Sequence, residues 1–188
     1  SDDAKKQYSA ELRFLRALNY FNLVKRMGGV PLVTKQLIYD YSGNVADLQQ
    51  ARAKESEVYD FIAAEIDAIK DQLGNANSTT RANKYTALAL KSRAMLYAGS
   101  IAKYNSLMPV PIATPGGEVG IPGSMANGYY QKALDASKEI INSGAYTLYR
   151  NNPDPGENFF EAVTKKASNR EVIFVKDYLL PTRKHWFS

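Results

Sequence analysis

Residues 54–74 read KESEVYDFIAAEIDAIKDQLG, and this stretch decides the fold class. Val58, Ile62, Ile66, Ile69 and Leu73 recur at three- and four-residue intervals, the period of one face of an α-helix. Asp60, Glu65, Asp67, Lys70 and Asp71 occupy other faces. Gly74 closes the segment, and the polar run through Thr80 reads as a turn.

Working outward, the same period recurs. A first helix is expected from about Ala4 to Arg26, with Leu12, Leu15, Leu18 (with Ala17) and Phe21 on its inner face and Gly28-Gly29 as its stop. Val30-Pro31-Leu32-Val33 then reads as extended, and residues 34 to 54 as a loop. A third helix spans about Asn83 to Ala102. Its small residues lie on several sides, which suits close packing by more than one neighbour. Residues 105 to 128 carry four prolines and five glycines and read as a long irregular loop, a kind that is uncommon inside a domain unless it has a function.

The fourth helix is expected from about Ala126 to Asn142, with Tyr130, Ala133, Leu134, Ser137, Ile140 and Ile141 inward. A turn at 151–156 precedes a helical turn at 158–162. Glu171-Val172-Ile173-Phe174-Val175-Lys176 is the strand candidate, and the last ten residues read as irregular. The expectation is a mostly α chain with little β. Helices one and two, and three and four, pair as tetratricopeptide-like hairpins split by long inserts. Residues 4–148 form the scaffold, and 149–188 a loop-rich segment of the same domain.

Composition bounds the chemistry. The chain has 188 residues, 45% hydrophobic and 23% charged, with a net charge of +5 and interleaved signs. No clustered basic stripe marks a nucleic-acid groove, so no nucleic-acid partner is expected. Without cysteine there is no disulfide, thiolate site or cysteine nucleophile. His185 is the single histidine, so no multi-histidine zinc site is expected and no metal or cofactor is called for. No apolar run approaches the ~20 residues of a membrane-spanning helix. The opening residues hold neither an initiator Met nor a signal peptide's apolar core, so a processed product or part of something longer is expected.

Five blocks in order carry a family resemblance. They are Glu11–Val24 with Gly28–Val33; Arg52-Ala53 with Glu57–Ile62; Arg81–Ala98; Tyr130–Leu134 with Gly144–Leu148; and Asn169–Phe174. Together they resemble the SusD/RagB family. That resemblance implies a cell-surface lipoprotein of Bacteroidota-type bacteria that binds glycans or other nutrients and acts as a lid on a SusC-like TonB-dependent outer-membrane transporter. It implies a helical scaffold, a ligand site built from irregular loops, and no enzymatic activity. Members are far longer, so the lipid-bearing N-terminal cysteine is expected outside this chain.

Sugar recognition needs flat aromatic faces with polar handles, which Trp and Tyr supply. The candidate ligand residues are Trp186 with Arg183 and His185, Tyr178 beside them, and Tyr39 and Tyr41 in the first insert. Tyr20, Tyr59, Tyr97 and Tyr130 fall at repeat-like helical positions and read as packing. Glu65, Asp67 and Asp71 resemble a carboxylate pair only superficially, because a helix face opposite the apolar stripe is normally solvated. The glycines of 116–123 lack the Gly-Lys-Ser/Thr of a phosphate loop. The alternative function is a helical-repeat scaffold for protein–protein interaction.

Overall fold

The computed structural model describes residues 1–178 apart from 40, 42, 44 and 75–77. Five helices follow in order: α1 (Asp2–Met27), α2 (Glu55–Ile69), α3 (Lys84–Asn105), α4 (Ala126–Asn142) and α5 (Pro155–Thr164). Short 3-10 turns lie at Ala46–Leu48 and Gly123–Met125. Among the described residues there is no strand, so the chain is mostly α.

Local chemistry starts several of these helices. Free amides at an N-terminus need acceptors. Ser1, Asn83 and Asp154 supply them to the N–H groups of Ala4, Thr86 and Glu157. Glu57 does the same for Lys54 at the start of α2. Asp154 followed by Pro155 is a cap followed by a residue pre-set for the first turn, and a ten-residue helix grows where the sequence suggested only a turn at 158–162.

Cross-helix contacts show how the rods run. Gln7 of α1 lies against Gly74, Arg13 meets Glu65, and Tyr20 stands edge-on to Phe61 at 5.2 Å. As numbers rise on α1 they fall along α2, so the two are antiparallel. The same holds for α2 and α3 (Asp71 with Lys84, Asp67 with Lys91) and for α3 and α4 (Ser92 with Ser137, Gly99 with Tyr130). In contrast, α2 and α4 run the same way, joined by Lys70–Glu139 and Lys132–Asp60. Two antiparallel hairpins thus lie side by side, as expected. At Gly99 a Cβ would sit 2.8 Å from the Tyr130 ring, so only glycine lets α3 and α4 approach this closely.

The α2 stripe is the centre of the core. Val58, Ile62, Ile66 and Ile69 are fully buried, and Leu73 is buried just past the end of the helix. Tyr59 is equally buried, and Tyr20 nearly so, in keeping with their reading as packing residues. α3 is buried on several sides, from Ala87 and Leu90 through Ala94, Met95 and Ala98 to Ala102.

Two faces differ from the sequence reading. On α1 the buried set is Ala10, Phe14, Ala17, Tyr20, Phe21 and Val24, whereas Leu12 is 67% exposed and Leu15 also faces out. On α4, Tyr129, Ala133 and Ala136 are buried, while Leu134 is exposed and Ile141 is 72% exposed. Both candidate stripes on each helix have helical period. The buried faces keep Ala17 and Phe21 on α1 and Ala133 on α4 from the expected stripes but are rotated towards Phe14 and Ala136, where packing against the neighbouring helices decides.

The strand expected at 171–176 is also corrected. This stretch has no regular secondary structure and joins no ladder. Val175 N–H donates to Thr79 O (2.8 Å), and the preceding Arg170 O accepts from Thr147 N–H (3.2 Å). Phe174 lies edge-on to Phe14 with centroids 5.9 Å apart. β-Branched and aromatic residues fit a half-buried surface, and here that surface is helical.

Candidate functional site

The first insert leaves α1 and returns to α2 through a pinned corner. Tyr20 is buried at its base, where its hydroxyl accepts from Val33 N–H at 2.7 Å. Arg52 donates to Gly29 O (2.7 Å) and Met27 O (2.6 Å), and Ala53 N–H reaches Val30 O. The proline- and glycine-rich second insert closes on the same corner. Gly29 N–H donates to Glu118 O, Glu55 N–H to Gly117 O, and Gly120 N–H to the Glu55 carboxylate at 2.7 Å. Burial pushes the Glu55 carboxyl above its ordinary range, and the Gly120 N–H partly offsets this. Both inserts therefore start from one rigid base at the α1–α2 end of the stack.

Tyr39 and Tyr41 lie within the first insert, between its anchored ends at Val33 and Arg52. Their ring centroids lie 5.2 Å apart at 56°, and Tyr39 Oη accepts from Gly43 N–H at 3.1 Å. Tyr41 is 88% exposed and has φ +63°, a backbone region that bulky side chains avoid. Held strain of this kind concentrates at functional positions. Two inclined aromatic faces open to solvent can stack on the apolar side of a sugar ring, with the hydroxyls as polar handles.

Among the remaining candidates, Tyr178 is exposed to the same degree as Tyr39. Its ring lies 5.4 Å from Lys176 Nζ, and Lys166 reaches its carbonyl. Arg183, His185 and Trp186 lie outside the described residues. A second aromatic pair was not singled out in the sequence. Tyr85 at the start of α3 and Tyr146 beyond α4 stand edge-on at 5.4 Å in a cleft of about 520 Å³ that also includes Ser78, Thr79, Arg170 and Ile173. Nothing local marks these tyrosines; the α3–α4 hairpin brings them together. The Arg170 guanidinium in that cleft already donates to Gly144 O and Ala145 O.

The carboxylates of α2 are structural. Glu65 is not on a solvated face. It is buried and receives Arg13 Nη2 (2.7 Å), Arg13 Nε (3.1 Å) and Arg16 Nη2 (2.6 Å). The Arg13 hydrogen bond is the main force holding its pKa below the usual carboxylate range, despite desolvation. Asp67 and Asp71 are tied to Lys91 and Lys84. Among the described residues no cluster of His, Cys, Asp and Glu suits a metal ion, and no helix is long and apolar enough to cross a membrane.

Comparison with known proteins agrees with this architecture. A SusD-like family model described as starch-binding and associating with the outer membrane matches residues 1–96. A SusD-like protein of Formosa agariphila is 26% identical over 95% of the chain, which covers 29% of that relative. The crystal structure of a SusD-like protein of Bacteroides fragilis aligns with a TM-score of 0.67 and 26% identity, over 96% of this chain and 29% of that one. A SusD-like carbohydrate-binding protein of the same organism has the same fold (TM-score 0.64, 21% identity, 95% of this chain and 28% of that one). The chain thus spans about three-tenths of the length of the relatives it matches.

Proposed function

The chain belongs to the SusD-like family, and on that premise we propose that it is part of a glycan-binding protein of the bacterial outer membrane. The protein presents oligosaccharide to a SusC-like TonB-dependent transporter and is held at the cell surface by a lipid anchor outside this chain. It binds and releases without making or breaking a covalent bond. The observation that carries the reading is the Tyr39–Tyr41 pair, open to solvent on an insert whose base is pinned to two helices. Preorganisation of this kind lowers the ordering cost of binding. Trp186, with Arg183 and His185, and Tyr178 remain proposed contributors from the C-terminal segment.

Titration calorimetry of malto-oligosaccharides and a panel of other neutral and acidic oligosaccharides tests the proposal. Tyr41→Ala is expected to weaken binding about tenfold or more, the order of one lost aromatic contact, with an unchanged melting temperature. If no oligosaccharide binds, or if the Tyr39→Ala/Tyr41→Ala double variant binds as tightly as the parent, the reading fails.

A further inference from the structure

The second insert carries a feature that the sugar site does not use. Between Lys103 and Glu118 there is no charged residue, and the tip of this stretch is apolar: Leu107, Met108, Pro109, Val110, Pro111, Ile112. Leu107 is 65% and Val110 79% exposed, and Met108 and Ile112 are exposed as well. Soluble surfaces rarely gather so many large apolar side chains without a purpose.

The backbone of the tip is equally unusual. Leu107 N–H donates to Tyr104 O and Met108 N–H to Asn105 O. The Asn105 side chain takes both groups of Ile112, accepting from its N–H and donating to its O at 2.7 Å each. Pro109 and Pro111 have no N–H at all. From 107 to 112, Val110 alone is left with an N–H that has no internal partner. A segment with its donors deleted or satisfied loses less on entering the interfacial layer, where its carbonyls still meet water and headgroup donors, than one with free N–H groups would. The prolines and the Asn105 clamp also hold the shape in advance. At the shoulder stand Tyr104, exposed, and Lys103, exposed and with no carboxylate against it among the described residues. An apolar tip followed by a tyrosine and a lysine is the depth order of a bilayer interface, where aromatic rings sit at headgroup level and ammonium groups meet anionic lipid.

We propose that residues 104–112 form a membrane-contacting tip that inserts Leu107, Met108, Val110 and Ile112 into the interfacial layer of a lipid surface, with Tyr104 and Lys103 at the headgroups. A lipid surface fits better than a protein partner. The tip offers no polar side chain from Leu107 to Ala113 with which to fix a partner's orientation, and a bilayer requires none. This contact is separate from the Tyr39–Tyr41 pair and does not rest on the glycan reading.

Co-sedimentation of the full chain with vesicles of phosphatidylethanolamine and phosphatidylglycerol tests it. The parent is expected to sediment with the vesicles, and Leu107→Asp/Val110→Asp to lose about tenfold or more of the bound fraction. Ile141→Asp, at an equally exposed apolar site on α4, is expected to sediment like the parent. Circular dichroism checks that both variants keep the helical fold. The proposal is overturned if the parent stays in the supernatant, or if the tip variant sediments like the parent. It is also overturned if a photocrosslinker at position 110 captures an outer-membrane protein while the parent ignores protein-free vesicles.

Discussion

Replacing Glu65 by alanine removes the one carboxylate that two guanidiniums share at the α1–α2 interface. Three hydrogen bonds vanish, and Arg13 and Arg16 are left facing each other with no counter-charge. Breaking a fully buried ion pair by deleting one partner costs about 3–5 kcal/mol. Here the Arg13 and Arg16 side chains keep 33% and 32% exposure, so water takes up part of the orphaned charge and the expected loss is about 2–3 kcal/mol. Arg16 Nε is already buried without a partner, which limits how far that side chain can rearrange to compensate. For a chain of this size that loss lowers Tm by about 5–10 °C. The pH dependence adds an independent signature. The Glu65 pKa is depressed in the folded state, so its contribution is present above the unfolded carboxylate value of about 4.3 and fades as pH falls through the folded value. Urea unfolding followed by circular dichroism at neutral and acid pH measures both. The reasoning is refuted if Glu65→Ala unfolds within about 0.5 kcal/mol of the parent at pH 7, or if the gap persists undiminished in strong acid.

Three further outcomes follow from the same packing. Ile66→Ala, at a fully buried site, is expected to cost about 2–5 kcal/mol, and Leu12→Ala less than about 0.5, although both positions belong to helical apolar stripes in the sequence. Paired denaturation curves measure the difference. Gly29→Ala places a Cβ 1.9 Å from Ala53 O, and relief requires breaking the corner that both inserts share. A loss of about 3 kcal/mol in thermal unfolding is expected. Glu55→Gln keeps an acceptor for Gly120 N–H but removes a charge that burial disfavours. Because the folded pKa is raised, the parent loses stability as pH climbs through the window above the unfolded value. The variant is therefore expected to equal the parent in acid and to match or exceed it at pH 7, as read from Tm against pH.

The chain's own residues determined the helical class, the four long rods and their approximate ends, because period and caps are local properties. The α2 stripe from Val58 to Leu73 was legible for that reason, as were the two inserts, the first by its lack of helical period and the second by its prolines and glycines. Which face of α1 and α4 turns inward was legible only in part: Ala17, Phe21 and Ala133 fell on the expected stripes, but Leu12 and Phe14 belong to stripes of equal period and the packing of neighbouring helices decides between them. The fate of residues 171–176 was a similar case: strand-like side chains settle on whatever half-buried surface is offered, and the tertiary structure offered a helix pair. Tyr39 and Tyr41 were nominated as aromatics in an insert; the left-handed backbone at Tyr41 and the Gly43 N–H on Tyr39 Oη accompany their 5.2 Å approach, which is a local feature, while long-range hydrogen bonds through Tyr20 and Arg52 pin only the ends of the insert. The pairing of Tyr85 with Tyr146, and the clamping of Ile112 by Asn105 in the 107–112 tip, were likewise decided by the folded chain, because partners far apart in sequence or geometry set by a clamp leave no periodic trace to read.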